Sequence, residues 1–387
     1  VTQALAFALA RRLYGDLAGL SALGFMAFVW WPVLLSRTIG RETLLPLLTL
    51  VVLLTLGLGL PVYGRRRSTA SQTVAFAGLG TAMAVGIYLH PAGLVTMLTA
   101  LLFIVYYMAF GRPRLTDSLR RTVGFTVLIT LIFIVPYLLS AGNNPELSGA
   151  VRVFNGLRVD ETPLLERAVR AVMGLGIHGD QNPVYNLPGR PLVDPISALL
   201  ILMGAAVALR YSRRRLRYAL LAFPIVILGP LELIAPDSPS WLAGAVLLPV
   251  VALCFGLGIA AVARLVRSPR IAFALMAALL IYTGVNSAID MHSRWTMLAD
   301  VRQAYSSRVA SLARHVDVTA SSLPTLVCSS DVTSKAQPAS ITNTRLLALM
   351  LNNRSVHLRY LDCSTSMIFP MGGEPSQVLI PNPNTLA

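Results

Sequence analysis

The chain has 387 residues, of which 55% are hydrophobic and only 13% are charged, and its mean hydropathy is +0.67. Soluble globular proteins carry about 25% charged residues, so this composition excludes an ordinary soluble domain. The formal net charge is +15. A nucleic-acid-binding protein needs a solvated basic face, however, and here the Arg clusters lie between long apolar runs. The composition therefore predicts an integral membrane protein that binds membrane lipids and no nucleic acid.

Nine segments are long and apolar enough to cross a bilayer as helices, which takes roughly 20 mostly apolar residues. They cover about 13–35, 43–63, 73–90, 94–110, 122–141, 194–211, 218–235, 241–263 and 271–289. A tenth apolar run, Val1–Ala10, has half the necessary length. It predicts that the rest of a span precedes Val1, with a short interfacial helix as the alternative. The expected fold class is thus an all-α polytopic membrane protein with nine to ten spans.

The basic residues predict the orientation of these spans. Five Arg-rich segments fall in alternate connections and together hold 17 Arg residues, against only Asp16 and Asp117: 11–12, 65–67, 112–121, 210–217 and 264–270. The intervening connections, 36–42, 90–93, 143–193 and 236–240, have no comparable excess. Because basic residues accumulate in cytoplasmic loops, the Arg-rich segments are expected to face inward. The other connections and the tail are expected to face outward.

Two outward parts are long enough to carry function. Within the membrane domain, 1–291, the loop 143–193 contains an amphipathic pattern over about 161–174, typical of a helix at the membrane surface. The rest of this loop is rich in Gly, Pro, Asn, Asp and Arg, which favours a tight, ordered conformation. The second part is the tail, 292–387, which is expected to form a small extracytoplasmic α/β domain.

The tail shows a helical period over about 297–316. Strands are predicted at 323–327 and 356–361, with a helix at 344–351 between them and a hairpin around 371–374. Cys328 and Cys363 both end predicted strands in this domain, where a disulfide is permitted. Two free thiols are the alternative, and Cys254, inside a span, is expected to be a packing residue.

The chain contains none of the common motifs for nucleotide, dinucleotide or zinc-dependent chemistry, such as a Walker A sequence, HExxH or GxSxG. Charges within the spans are sparse as well. Glu232 and Asp290 lie near predicted outward ends rather than at mid-membrane, where ion-coupled transporters place ionisable groups. These absences argue against a nucleotide hydrolase and against an ion-coupled transporter.

Polar residues do collect at the predicted outward ends of the helices, and seven of them are candidates for a substrate or phosphate site: Arg37, Arg41, His90, Asp180, Asn186, Arg190 and Asp194. Arg suits phosphate oxygens because its guanidinium donates two parallel hydrogen bonds. Three Arg residues on one membrane face predict a site for an anionic lipid head group, with interfacial anchoring as the alternative. His90 and His178 are single histidines and weak candidates for acid–base roles.

Four segments carry a family resemblance: LARRLYG, WPVLLSRTIGRETLLPLL, YLHPAGLVTMLTALLF and GDQNPVYNLPGRPLVDP. Their order resembles the bacterial branch of the GT-C glycosyltransferases, in particular family 39 protein mannosyltransferases and the related lipid A aminoarabinose transferases. The resemblance runs along most of 1–320 and is strongest at 179–195.

The resemblance implies an enzyme of the bacterial cytoplasmic membrane that moves a sugar from a polyprenyl-phosphate carrier to an extracytoplasmic protein or lipid acceptor, with inversion. It implies a catalytic carboxylate in the first outward loop, which acts as base or as partner of a divalent metal ion. Ser36–Arg37 match the family's Ser-Arg pair, and Asp180, Asn186 and Arg190 match its long-loop motif.

The sequence departs from the family in two places. The loop that carries the catalytic Asp or Glu would precede Val1, so the chain as given is expected to lack that residue. His90 occupies a position where a Tyr or Thr is expected. A non-catalytic subunit or scaffold of a larger membrane complex is therefore a second hypothesis, and a lipid or polysaccharide transporter is a weaker third.

Overall fold

The structure is a computed structural model of the chain. It describes residues 1–38, 40–60, 62, 68–110, 117–143, 163–230, 241, 243–319, 325–328, 343–352, 358–361 and 377–379. The chain divides into two compact units, Val1–Trp295 and Thr296–Ala387. The division lies four residues beyond the predicted boundary at 291, because the last long helix continues into two further short helical turns.

The first unit is a bundle of helices with short connections. Its α-helices are α1 (Thr2–Tyr14), α2 (Asp16–Phe28), α3 (Trp30–Leu35), α4 (Leu45–Gly59), α5 (Thr69–Leu89), α6 (Pro91–Phe110), α7 (Asp117–Asn143), α8 (Leu164–Gly176), α9 (Pro195–Ser212), α10 (Leu216–Leu228), α11 (Leu248–Val266) and α12 (Pro269–Ile289). Short 3-10 helices precede α4 and α11, at Arg41–Leu44 and Ala243–Leu247. A π-helical turn, Asp290–Arg294, and a 3-10 turn, Trp295–Met297, follow α12.

Among the described residues, seven helical segments are long and apolar enough to cross a membrane: Glu42–Gly59, Thr69–Leu89, Ala92–Phe110, Arg120–Tyr137, Pro195–Ser212, Gly244–Val266 and Pro269–Met297. Each corresponds to one predicted span. The two remaining predictions, 13–35 and 218–235, coincide with the shorter apolar helices α2 and α10. The described part of the chain is thus that of a helical membrane protein with little sheet.

The predicted span 13–35 is wrong as a single helix. It is broken at Gly15, which has φ +102°, and again at Val29, which has extended backbone angles. Pro32 explains the second break, because in a continuous helix its ring would clash with the carbonyl of Phe28 and it has no N–H to donate. The short helix α3 begins after this break, and it places Trp30 and Trp31 at the end of the bundle.

Loops predicted to share a membrane face do meet in the bundle. The Tyr14 hydroxyl donates to the backbone oxygen of Arg217 at 3.0 Å, and the Tyr106 hydroxyl donates to that of Ser212 at 3.5 Å. These contacts join α1 to α10 and α6 to α9, in each case beside Arg-rich segments. At the other end of α2, the Trp31 indole donates to the Trp241 carbonyl at 3.0 Å. These contacts link helix ends that the charge pattern assigns to the same membrane face, and the orientation of the bundle stays a prediction.

The second unit contains α13 (Ala299–Ala304), α14 (Ser307–Thr319) and α15 (Asn343–Met350) with strands β1 (Thr325–Cys328), β2 (Leu358–Leu361) and β3 (Gln377–Leu379). The strands form a parallel sheet in the order β2-β1-β3. The helix predicted over 297–316 is two helices, because Ser306 adopts φ +49° between them. β3 pairs in parallel with β1, while 371–374, the turn of the predicted hairpin, lies outside the described residues.

The cysteines divide between the two units. Cys254 is buried in α11 as a free thiol, which agrees with a packing role. Cys328, at the end of β1, is disulfide-bonded. Cys363 lies outside the described residues, so its pairing with Cys328 stays a prediction.

Candidate functional site

The loop 177–194, between α8 and α9, closes on itself through backbone hydrogen bonds. The Gly179 N–H donates to the Gly189 carbonyl, and the Gly189 N–H donates to the Asp180 carbonyl, both at 3.1 Å. A Cβ atom at Gly179 would lie 1.9 Å from the Arg190 oxygen, and Gly189 has φ +76°. Both positions therefore require glycine, and the loop is a fixed platform for its polar side chains.

Asn186 joins this loop to α3. Its side chain is fully buried; the Trp30 indole donates to its Oδ1 at 2.8 Å, and its Nδ2 donates to the carbonyls of Asp180 and Arg190, each at 2.8 Å. A buried amide stabilises a structure only when its polar atoms find partners. Asn186 meets this requirement within the protein, so its amide has a structural role.

Arg190 joins the same loop to the end of α12. Its guanidinium carbon lies 4.2 Å from the centroid of the Trp30 ring, and its Nε donates to Asp290 Oδ2 at 3.2 Å. Burial lowers the pKa of Arg190 to about 10, although the negative charge of Asp290 acts in the opposite direction. We call Trp30, Arg190, Asp290 and Trp295 the Trp30–Arg190 cluster.

Three further contacts hold the Trp30–Arg190 cluster together. Arg294 donates to Asp290 Oδ1 at 2.9 Å, so this carboxylate binds two guanidinium groups. The Trp295 ring meets Trp30 edge to face, with centroids 6.3 Å apart, and its indole donates to the Pro183 carbonyl at 2.8 Å. The cluster thus fixes the loop against both α3 and the π-helical turn.

The two acidic residues of the loop are also engaged. Asp180 is buried and accepts the backbone N–H groups of Asn182 at 2.8 Å and Trp241 at 3.2 Å. Asp194 caps the first turn of α9 by accepting the Ser197 N–H at 2.9 Å, and it also accepts the hydroxyl of Thr283 on α12 at 3.2 Å. Both carboxylates therefore bind backbone and hydroxyl donors that position the loop.

A groove lies beside the Trp30–Arg190 cluster, between the ends of α2, α3 and α12. Its volume is about 470 Å³, within the range of ligand pockets. Its lining residues are Ala27, Phe28, Val33, Arg37, Ile281, Gly284, Val285, Ser287, Ala288, Met291 and His292. We call it the Arg37 groove. Two of these residues, Arg37 and His292, are basic and none is acidic, so the groove favours a mainly apolar ligand with a negative charge.

The Arg37 groove is open on the side of the bundle. Phe28, Ile281 and Val285 line it and are respectively 50%, 67% and 53% exposed. All three belong to apolar helices, and Ile281 and Val285 lie within the candidate span Pro269–Met297. In a bilayer such side chains face lipid, so a lipid tail could reach the groove without passing through water.

The remaining predicted site residues are placed elsewhere. His90 lies at the turn between α5 and α6, where its Nδ1 accepts the Ala92 N–H at 3.1 Å, and it does not line the groove. The side chain of Arg41 and all of Glu232 lie outside the described residues. The structure thus brings Asp180, Asn186, Arg190 and Asp194 together in one loop and places Arg37 at the groove.

Sequence reasoning missed two residues of the groove, Ser287 and His292. The predicted span 271–289 contains Ser287, whereas His292 falls in the predicted tail. Asp290–Arg294 forms a π-helical turn, a feature that is frequent at functional sites. In this turn Asp290 and Arg294 contact each other, whereas Met291 and His292 line the groove.

The described residues do not fit the divalent metal ion that the resemblance implies. Among them, no three His, Cys, Asp or Glu side chains lie close enough together to hold a metal ion. Asp180, Asp194 and Asp290 all bind donors of the protein itself. We therefore assign no step to a metal ion in this part of the chain.

Comparisons with protein-family models, with curated proteins and with solved structures find no match to this chain.

Proposed function

We propose that the protein is a GT-C-like glycosyltransferase of the bacterial cytoplasmic membrane, with nine to ten spans and an extracytoplasmic C-terminal domain. It takes a sugar from a polyprenyl-phosphate-linked donor and transfers it, with inversion, to an extracytoplasmic protein or lipid. The observation that carries this proposal is the Arg37 groove. Its walls are apolar, it opens on the side of the bundle, and Arg37 and His292 line it together.

The chemistry of the donor agrees with this groove. A polyprenyl tail needs an apolar surface that lipid can reach, and its phosphate needs a cation that can donate more than one hydrogen bond. Arg37 is exposed and lies just after α3, where its guanidinium can bind phosphate oxygens bidentately. Arg190 binds Asp290 through Nε and stacks on Trp30. Its Nη1 has no hydrogen-bond partner among the described residues, but Arg190 does not line the groove, so Arg37 is the better phosphate ligand of the two.

Asp180, Asp194 and Asp290 do not supply a catalytic base in this proposal. Asp180, Asp194 and Asp290 each hold the loop or the π-helical turn in place. We assign them a positioning role, and we assign donor binding to the Arg37 groove. This division agrees with the resemblance, in which the catalytic carboxylate belongs to a different loop.

The test begins with donor binding by the purified protein in lipid nanodiscs. An undecaprenyl phosphate with a diazirine in its tail is expected to label α2 and α12. Arg37→Ala should weaken its binding about tenfold or more, because a hydrogen bond to a charged group contributes about 1.5–3 kcal/mol. Arg37→Lys should weaken donor binding less than Arg37→Ala does. Arg213→Ala, which removes an exposed Arg beyond the opposite end of the bundle, is the matched control.

The second step measures transfer of a radiolabelled sugar from its undecaprenyl-phosphate carrier to the membrane fraction, with the anomeric configuration of the product read by NMR. Arg37→Ala should reduce transfer, and Arg213→Ala should not. Equal labelling or transfer in these two variants would contradict the donor site. Donor binding with no transfer would favour the hypothesis of a non-catalytic subunit.

A further inference from the structure

Among the described residues, Ser287 on α12 is the one hydroxyl side chain that lines the Arg37 groove. The residue is only 2% exposed, and its Oγ finds no hydrogen-bond partner among the described residues. A buried polar group without a partner is rare in proteins and calls for an explanation. A ligand in the groove would supply that partner.

Other buried hydroxyls in these helices behave differently. Ser21 donates to the Leu17 carbonyl at 2.7 Å, and Thr283, one turn before Ser287, donates to the Leu279 carbonyl at 2.8 Å. Helical Ser and Thr commonly bond the carbonyl four residues earlier in this way. The Ser287 hydroxyl does not make this local bond, although the carbonyl of Thr283 precedes it by one turn. The Ser287 O–H group can therefore donate a hydrogen bond to a ligand in the groove.

The position of Ser287 along α12 indicates which part of a lipid it meets. His292 follows Ser287 by five residues, which corresponds to roughly 7 Å along a helix at 1.5 Å per residue. Ser287 thus lies deeper in the bundle than His292, at the level where a charged head would join its tail. The walls on either side of it, Gly284 and Ala288, are apolar and small.

We propose that Ser287 is a specificity-determining residue whose hydroxyl donates a hydrogen bond to the oxygen on the first carbon of the lipid tail. Arg37 then binds the phosphate, and Ser287 binds the oxygen that links the phosphate to the tail. This inference rests on the proposed function, because it assumes that a polyprenyl phosphate occupies the groove. It assigns Arg37 and Ser287 to two different parts of that ligand.

The two assignments are separable because polyprenols carry the linking oxygen without the phosphate. The experiment measures binding of undecaprenyl phosphate, undecaprenol and the hydrocarbon squalene to the purified protein in nanodiscs. Ser287→Ala should weaken the first two about fivefold, the effect of one neutral hydrogen bond, and leave squalene unchanged. Arg37→Ala should weaken undecaprenyl phosphate alone. Ser293→Ala, an exposed serine that does not line the groove, is the matched control.

Thermal unfolding of the empty protein distinguishes binding from a structural role. Ser287→Ala removes a buried hydroxyl that has no partner, so the unfolding temperature of the empty protein should stay the same or rise. Unchanged binding of both oxygen-bearing lipids to Ser287→Ala, or a clear loss of stability in the empty variant, would overturn the inference.

The pattern across the three ligands also separates the two proposals. Failure of the wild type to prefer undecaprenyl phosphate over undecaprenol would count against the phosphate site, and hence against the proposed function. A phosphate preference that depends on Arg37 in the wild type, combined with no effect of Ser287→Ala, would overturn the role of Ser287 alone.

Discussion

Arg190 stacks its guanidinium on the Trp30 ring, 4.2 Å from the ring centroid, while its Nε binds Asp290. This single side chain links three parts of the chain that are far apart in sequence: the short helix α3, the loop between α8 and α9, and the turn after α12. The Arg37 groove lies between the first and the last of these elements. Its shape therefore depends on a residue that does not line it.

Removal of this link should destabilise the protein. Arg190→Ala leaves Asp290 with Arg294 as its remaining ion-pair partner among the described residues. We expect the free energy of unfolding to fall by about 2–3 kcal/mol, below the full cost of breaking a buried ion pair. Arg170→Ala is the matched control, because its pair with Glu166 is about half exposed on both sides and should contribute less than about 1 kcal/mol. Unfolding in a detergent titration measures both. Equal losses would show that the Trp30–Arg190 cluster is no more important than a surface ion pair.

The side-chain amide of Asn186 is expected to stabilise the protein through three hydrogen bonds. Asn186→Ala leaves the Trp30 indole and the carbonyls of Asp180 and Arg190 without this partner. Because each hydrogen bond contributes about 0.5–1.5 kcal/mol, we expect the free energy of unfolding to fall by about 2–4 kcal/mol. Asn182→Ala, at an exposed position, removes one bond to the Val184 N–H and should cost less than about 1.5 kcal/mol. Tryptophan fluorescence during unfolding follows both variants, and a smaller effect at 186 than at 182 would disprove the structural role.

Two glycine-to-alanine substitutions are expected to affect the stability of the protein differently. Gly179→Ala places a Cβ atom 1.9 Å from the Arg190 oxygen, so the loop must open and stability must fall. Gly124→Ala, in α7, meets no atom within 4 Å and should leave stability unchanged or raise it by up to about 1 kcal/mol, because alanine favours a helix more than glycine. Unfolding temperatures test the pair. A stable Gly179→Ala protein would contradict the closed conformation of the loop.

The predicted orientation can be tested by labelling intact cells with a membrane-impermeant maleimide. In a background without native cysteines, Ser36→Cys should react from outside, because it precedes a connection without an Arg cluster. Arg214→Cys should react only after the cells are opened, because it lies in an Arg-rich connection. Both residues are exposed in the structure. The reverse pattern would invert the topology and place the Arg37 groove at the cytoplasmic end.

The sequence predicts the long helices well because hydropathy alone identifies them. All seven candidate spans of the described chain coincide with predicted runs, and α8, Leu164–Gly176, begins and ends within three residues of the predicted amphipathic helix. Pro32 predicts the break at Val29, because proline has no backbone N–H to donate within a helix. A count of apolar residues does not detect this missing donor. The left-handed Ser306 that divides α13 from α14 has no comparable sequence signal.

The candidate site was harder to predict because it depends on contacts between distant residues. A list of polar residues at helix ends included Arg37, which lines the groove, yet it gave the same weight to Arg190, whose Nε is engaged by Asp290. That pairing joins residues 100 positions apart. Ser287 could not be identified from the sequence. A single serine in an apolar helix normally bonds a backbone carbonyl of its own helix, and only the structure shows that Ser287 does not.

The exposed side chains at the opening of the Arg37 groove also determine how a ligand would arrive. If Phe28, Ile281 and Val285 face the bilayer, the ligand reaches its site by two-dimensional diffusion within the leaflet. Occupancy then follows the mole fraction of the carrier among the lipids rather than its concentration in the aqueous volume. Detergent molecules compete for the same opening, so a protein that is inactive in micelles can regain binding when it is returned to a bilayer.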